Sequence, residues 1–91
     1  MPFRNRIYRP YTREDVEGLK QNQNGIYAIF SGSTVIYIGS GDIRERLLAH
    51  LSGEKPEIAR HNPDRWLGRV FTEDPSHRLK ELIKEYSPIC N

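Results

Sequence analysis

Two short segments rich in β-branched and aromatic residues constrain the fold of this chain most strongly. They are GIYAIF, residues 25–30, and TVIYIG, residues 34–39, and the tripeptide SGS, residues 31–33, separates them. Residues of this kind favour strands, and a short glycine-containing loop between two such runs favours a hairpin. The sequence therefore predicts two paired strands joined at residues 31–33.

The loop also predicts which residues of the hairpin face each other. If residues 31–33 form the loop, Phe30 lies opposite Thr34 and Tyr27 lies opposite Tyr37. Directly opposed residues share a sheet face, with Cβ atoms about 5 Å apart, so both phenols are expected on one face. A slip of one residue would place them on opposite faces.

A helix is predicted directly after the second strand. Asp42 is its expected N-cap, and Glu45 stands at the reciprocal position of a capping box. Arg46 and His50 are four residues apart, so they lie on one flank of this helix. Apolar residues recur along it at helical spacing: Ile43, Leu47 and Leu51.

Three further elements complete the predicted order. Thr12 is expected to cap a short first helix. RWLGRVFT, residues 65–72, is expected to form a third strand, and residues 57–60 a single helical turn. Asp74 is the expected N-cap of the last helix, with Pro75 at its first position. The order helix, strand, strand, helix, strand, helix indicates an α+β domain.

Composition fits one globular domain over residues 1–91, with residues 1–23 as an N-terminal arm and short helix. Apolar residues make up 36% of the chain and charged residues 29%. No apolar run approaches the roughly 20 residues that a membrane span needs, and the start of the chain lacks a secretory signal. Cys90 is the single cysteine. These features lead us to expect a cytoplasmic protein without a membrane partner.

The residues of the predicted hairpin and helix suggest phosphate chemistry. Tyr27 and Tyr37 supply hydroxyls, Arg46 is a fixed cation suited to phosphate oxygens, and His50 can move a proton near neutral pH. Each residue also has an ordinary structural interpretation. Strand tyrosines commonly pack in a core, and arginine or histidine on a helix is commonly solvated.

The same residues resemble the GIY-YIG nuclease family, which is named after two motifs. GIY stands at residues 25–27 and YIG at residues 37–39. The ERL segment matches the family's catalytic arginine at Arg46, and His50 matches a histidine of several homing endonucleases in the family. LIKEYSPICN, residues 82–91, resembles the end of the family domain.

The resemblance implies a three-stranded antiparallel sheet with helices around it and metal-assisted hydrolysis of DNA. In that mechanism Tyr27 acts as, or orients, the general base, and Tyr37 contacts the site or the phosphate. Arg46 stabilises charge on the phosphate, and His50 is the fourth catalytic candidate. One divalent ion, magnesium or manganese, would polarise the phosphate.

The resemblance also suggests contacts with nucleic acid outside the catalytic group. DNA is the expected partner, with RNA as the alternative. The arginine-rich segment RNRIYRPYTR, residues 4–13, could contact backbone phosphates. Contacts with phosphate or nucleic acid are assigned to four residues: Gly39, Ser40, Arg44 and Asn91.

The sequence departs from the family at the metal ligand. The family's glutamate lies three residues before the Leu-Ile pair of the last helix, and that position is Leu79 here. Leucine cannot bind a hard cation, which needs oxygen ligands. Glu81 is the candidate replacement, although in a regular helix it lies about 200° further around. Glu73 and Asp74 are alternatives near the start of the helix.

Three functions stay open at this stage. The first is a metal-dependent DNA endonuclease that uses a displaced carboxylate. The second is a nucleic-acid-binding module that has lost the metal, which Leu79 favours. The third is a protein-interaction domain, which would need an exposed apolar patch that includes Trp66 or Phe71.

Overall fold

A four-stranded antiparallel sheet forms the centre of the protein, in a computed structural model that describes residues 8–71 and 73–91. The sheet order is β1-β4-β2-β3. The α+β class with an antiparallel sheet is confirmed. The elements in chain order are β1 (Arg9–Pro10), α1 (Arg13–Glu17), β2 (Asn24–Ser31), β3 (Thr34–Asp42), α2 (Ile43–Leu51), α3 (Pro56–Arg60), β4 (Arg65–Val70) and α4 (Ser76–Tyr86).

The sheet has one strand more than the three predicted. β1 pairs with β4, with Arg9 opposite Trp66 and Pro10 opposite Arg65. This strand is two residues long, and Pro10 cannot donate a backbone hydrogen bond. A segment this short has no alternating pattern, so the sequence gives no strand signal there.

The hairpin register differs from the predicted one by two residues at Tyr27. Ser31 pairs with Thr34, so the loop is shorter than predicted, and a register shift follows between Ile29 and Phe30. Tyr27 therefore lies opposite Gly39, and Tyr37 lies opposite Ile29. The direct pairing of the two tyrosines was wrong. Because side chains alternate with a period of two, a slip of two residues keeps both tyrosines on one face.

β2 is the central strand of the hydrophobic core. Its side chains alternate between two clusters, one on each face of the sheet. Tyr27 and Ile29 belong to the first cluster, which includes residues of α1, α2 and α3. Ile26, Ala28 and Phe30 belong to the second cluster, against which α4 packs. In the described part of the chain, no helix is long and apolar enough to cross a bilayer.

Gly25 allows β2 and β4 to approach each other. It pairs with Val70, and a Cβ atom at this position would lie 2.0 Å from the carbonyl oxygen of Arg69. That oxygen belongs to the backbone of β4 and cannot move without displacing the strand. The glycine of the GIY motif therefore has a steric role in the sheet.

Side chains cap the helices largely as predicted. The Thr12 hydroxyl accepts a hydrogen bond from the Asp15 N–H at 3.2 Å, and the Asp42 carboxylate accepts one from the Glu45 N–H at 3.1 Å. The start of α4 differs from the prediction, because the helix begins at Ser76 and Pro75 is its N-cap. Asp74 still accepts a hydrogen bond from the Ser76 N–H, at 3.0 Å.

Residues 89–91 run along the outer edge of β3 after α4 ends. The Cys90 N–H donates to the Ile36 carbonyl at 2.8 Å. The Asn91 side chain accepts from the Ile38 N–H at 2.8 Å and donates to the Ile38 carbonyl at 2.9 Å. The tail therefore satisfies backbone groups that the edge strand would otherwise leave unpaired.

Candidate active site

A buried contact between a phenol and an imidazole lies at the centre of the candidate site. The Tyr27 hydroxyl is 2.8 Å from Nε2 of His50. Tyr27 is 1% exposed and His50 is 3% exposed. β2 supplies the tyrosine and α2 supplies the histidine, so the capped start of α2 after β3 sets the distance between them.

The surroundings of His50 favour its neutral form. Burial lowers the pKa of His50, and the positive charges of Arg46 and Lys55 lower it further, against an opposing effect of Glu54. A neutral imidazole has one ring nitrogen that can accept a proton. Within residues 8–71 and 73–91, the buried Nδ1 atom of His50 has no hydrogen-bond partner. The contact with Tyr27 is therefore the polar contact that orients this ring.

Tyr37 forms the more exposed wall of the site. Its ring centroid is 6.2 Å from that of Tyr27 and 5.0 Å from that of His50. The ammonium group of Lys55 lies 5.6 Å from the Tyr37 ring centroid, which is within the range of a cation–π contact. The structure thus brings a further cation to the site.

Gly39 leaves the space that the Tyr27 hydroxyl occupies. A Cβ atom on Gly39 would lie 2.4 Å from that hydroxyl oxygen and 2.8 Å from a ring carbon of Tyr37. Real Cβ atoms do not approach other atoms so closely, so a larger residue would displace the Tyr27 ring. The glycine of the YIG motif is therefore a positioning element for the buried tyrosine.

Arg46 connects the buried tyrosine to a carboxylate near the surface. Nη1 of Arg46 donates to Oε2 of Glu54 at 3.2 Å, and Nη2 donates to Oε1 of the same carboxylate. Burial and the nearby Tyr37 raise the pKa of Tyr27, whereas the Arg46 guanidinium lowers it. The guanidinium therefore acts on both the phenol and the carboxylate.

Glu54 and Lys55 were missed by the sequence interpretation. They lie in the turn after α2, where Gly53 has a φ of +92°. The Glu54 N–H donates to the Ala49 carbonyl at 3.1 Å, so the turn folds back onto the end of the helix. The signal in the sequence was a carboxylate and a lysine just beyond a helix-terminating glycine, and their proximity to Arg46 follows only from the folded turn.

The other residues predicted to contact phosphate or nucleic acid lie in three different surroundings. Ser40 pairs with Ile26, so its side chain points to the face of the sheet opposite Tyr27. Nε of Arg44 donates to the Glu17 carbonyl at 3.4 Å and links α2 to α1. Both polar groups of the Asn91 amide contact the Ile38 backbone. Phosphate binding at these residues stays a prediction.

The N-terminal arginines are only partly described. Arg4 and Arg6 lie outside the described residues. Arg9 pairs with Asp15 at 3.2 Å and lies over the Trp66 ring at 5.8 Å. It is therefore attached to the domain surface.

The described carboxylates do not form a preassembled metal site. Glu81, whose side chain is 51% exposed, contacts Arg78 at 3.3 Å and His77 at 3.9 Å. Leu79 is a residue of α4 and packs against the second cluster. Asp74 accepts hydrogen bonds from Ser76. Among residues 8–71 and 73–91, no group of three His, Cys, Asp or Glu side chains could hold a metal ion.

Comparisons with known proteins identify the fold through solved structures. No protein-family model matches the chain, and no curated protein matches it. The GIY-YIG N-terminal endonuclease domain of UvrC from Thermotoga maritima, bound to magnesium as its catalytic divalent cation, is 23% identical. The match covers 88% of this chain and 99% of that chain, with a TM-score of 0.72.

Point mutants of the same domain give the same result. A tyrosine-to-phenylalanine mutant bound to its catalytic divalent cation is 24% identical, with a TM-score of 0.73, and covers 87% of this chain and 92% of that chain. An asparagine-to-alanine mutant is 22% identical, with a TM-score of 0.70 and coverages of 86% and 96%. TM-scores from 0.70 to 0.73 over most of both chains establish a shared architecture. The chain therefore has the fold of the GIY-YIG endonuclease domain.

Proposed function

We propose that this chain is a GIY-YIG-type endonuclease that binds a DNA phosphate at Tyr27, Tyr37, Arg46 and His50 and hydrolyses the phosphodiester. The 2.8 Å contact between the Tyr27 hydroxyl and His50, beside the Arg46 guanidinium, is the observation that supports it best. Hydroxyl, imidazole and guanidinium groups are together suited to proton transfer and to charge stabilisation on a phosphate.

Tyr27 and His50 together act as the general base in the proposed reaction. The raised pKa of Tyr27 means that a free phenolate is not its resting state. The lowered pKa of His50 leaves a neutral imidazole next to the phenol. In this proposal the Tyr27 oxygen takes a proton from the attacking water while its own proton passes to Nε2 of His50. The water oxygen bonds to phosphorus, the bond from phosphorus to the leaving sugar oxygen breaks, and solvent water protonates that oxygen. No free phenolate needs to accumulate.

Arg46 and Tyr37 act on the phosphate itself. The guanidinium can donate two parallel hydrogen bonds to phosphate oxygens, and its charge opposes the negative charge that develops during attack. The Tyr37 hydroxyl can donate to a further oxygen of the same group. Lys55 adds positive charge on the outer side of Tyr37.

Divalent metal enters the proposal only through the structural neighbours. The UvrC domains bind a catalytic cation, whereas the described carboxylates of this chain do not form a site that fits one. We therefore assign no residue and no step to a metal. Magnesium and manganese are variables of the assay.

A nucleic-acid-binding module without nuclease activity is the second candidate. Leu79 stands at the position of the family's metal ligand and packs in the second cluster. The Glu81 carboxylate forms ion-pair contacts with Arg78 and His77. The third function, a protein-interaction domain, receives no comparable support. Trp66 is buried in the first cluster and Phe71 packs against the second.

A plasmid-nicking assay separates the two candidates. Purified protein is incubated with supercoiled plasmid in magnesium, in manganese and in excess chelator. We expect nicking by the wild type and a loss of at least about 100-fold in Arg46→Ala, the size seen when one charge-stabilising donor is removed. Arg78→Ala is the matched control, because Arg78 lies on α4, on the other face of the sheet.

The outcomes assign the function directly. Nicking that is lost in Arg46→Ala and kept in Arg78→Ala supports the nuclease, and the chelator arm reports whether it needs a metal ion. A folded wild type that binds DNA without nicking it in any arm supports the binding module. Equal nicking by wild type and Arg46→Ala would contradict the proposed site.

A further inference from the structure

Glu54 forms an ion pair with the Arg46 guanidinium. The proposed function needs the same guanidinium to bind a DNA phosphate. Both terminal nitrogens of the guanidinium donate to the two oxygens of one carboxylate. A phosphodiester has the same chemistry, with two oxygens that accept parallel hydrogen bonds from arginine. Glu54 and a DNA phosphate therefore compete for the same donors.

The pair is accessible to a ligand from solution. The Arg46 side chain is 32% exposed and the Glu54 side chain is 47% exposed. An ion pair with this exposure contributes little net stability, because water and salt screen it. Exchange of the carboxylate for a phosphate therefore does not require the core to open.

The backbone keeps Glu54 near Arg46 while its side chain can leave. Hydrogen bonds from the Gly53 N–H to the His50 carbonyl, at 3.1 Å, and from the Glu54 N–H to the Ala49 carbonyl, at 3.1 Å, fix the turn. The hydrogen bond from Arg46 lowers the pKa of Glu54, so the carboxylate is charged at neutral pH. A negative charge is thus held against the Arg46 guanidinium.

We propose that Glu54 is an internal mimic of the DNA phosphate, which holds the Arg46 guanidinium in the free protein and is displaced when a phosphodiester binds. This role rests on the proposed function, since it requires DNA phosphate to bind at Arg46. In this role Glu54 weakens the affinity of the protein for DNA. Removing its charge should therefore strengthen binding, whereas removing a contact residue should weaken it.

The test measures DNA affinity for matched charge changes. Fluorescence anisotropy of a short labelled DNA duplex is recorded at low salt with chelator, for wild type, Glu54→Gln and Glu57→Gln. Glu57 is an exposed residue of α3, so Glu57→Gln reproduces the change in net charge away from Arg46. We expect Glu54→Gln to bind about threefold to tenfold more tightly than Glu57→Gln, the range given by one exposed ion pair plus one removed repulsive charge.

An Arg46→Ala background separates this role from the proposed function. There, the advantage of Glu54→Gln over Glu57→Gln should shrink to the part that the removed repulsive charge contributes, because no guanidinium remains to be released. Arg46→Ala alone should bind more weakly than the wild type. If Arg46→Ala binds as the wild type does, the proposed phosphate site fails and the role of Glu54 fails with it.

Two further results would overturn the role of Glu54 alone. One is a Glu54→Gln protein that binds no more tightly than Glu57→Gln, while Arg46→Ala still loses affinity. The other is a Glu54→Gln protein that binds more weakly than the wild type, which would make Glu54 a favourable contact. Circular dichroism of each variant confirms that it is folded, so a change in affinity reports on the site.

Discussion

His50 makes the stability of the fold depend on pH. Its pKa is lowered from the ordinary value of 6.5, first by burial and then by the charges of Arg46 and Lys55. Below pH 6.5 the unfolded chain binds a proton on this histidine that the folded chain does not bind. Stability attributable to His50 is therefore present above 6.5 and is lost as pH falls below it.

Replacing His50 by glutamine should remove this dependence. Urea midpoints are measured at pH 7.5 and at pH 5.5, and the wild type should lose stability on acidification by at most about 1.4 kcal/mol per pH unit from this one group. His50→Gln should lose less, and His61→Gln is the control because His61 is exposed. Parallel losses in wild type and His50→Gln would show that the imidazole titrates alike in both states.

Single residues also show where sequence is informative. The structure brings together Tyr27, Tyr37, Arg46 and His50. Their spacing along the sequence predicts this proximity. Glu54 could not be found in the same way, because its contact with Arg46 depends on how the turn after Gly53 folds back. Local spacing predicts contacts within a helix, whereas a turn must be built before its side chains can be placed.

At the scale of elements, β3 depends on the tail as well as on β2. The Asn91 amide forms two hydrogen bonds with the backbone of Ile38, one residue before Gly39. Gly39 in turn adjoins the Tyr27 hydroxyl. The sequence suggested a phosphate contact for Asn91, and the structure adds a role in holding the edge of β3.

The variant Asn91→Ala should destabilise the fold by about 1–3 kcal/mol, the sum of two hydrogen bonds of ordinary strength. Asn91→Asp keeps the acceptor for the Ile38 N–H and faces the Ile38 carbonyl with a charge, so it should not restore the wild-type midpoint. Denaturant unfolding and DNA affinity are measured on the same samples. Unchanged stability with weaker DNA binding would instead favour the phosphate contact.

The elements were predictable where periodicity was strong. The hairpin, α2 and α4 all have clear apolar patterns. The register at Tyr27 was not predictable, because the shorter loop and the shift between Ile29 and Phe30 both depend on packing between the strands. β1 was not predictable either, since a two-residue strand is defined by its partner β4.

At the scale of the whole molecule, the sheet separates two surfaces. The first cluster, with α1, α2 and α3, lies on the face that contains Tyr27 and Tyr37. The second cluster, with α4, lies on the other face. The net charge is only +2, so specific cations rather than total charge should determine where DNA binds.

The salt dependence of DNA affinity tests this distinction. Neutralising each phosphate of duplex DNA contributes about 0.9 to the slope of log K against log salt. Arg46→Ala should therefore reduce the slope by about 0.9, whereas Arg78→Ala on the other face should leave it unchanged. Equal reductions in the two variants would mean that binding is not confined to the face with the tyrosines.

Both outer edges of the sheet are covered over part of their length by other segments of the chain. Residues 89–91 occupy backbone groups of β3, and β1 is two residues long and contains Pro10. Open strand edges are templates for aggregation, and short or covered edges prevent it. Within the described part of the chain, the tail thus covers backbone groups of β3 from Val35 to Ile38, and its detachment would leave those groups open to strand addition.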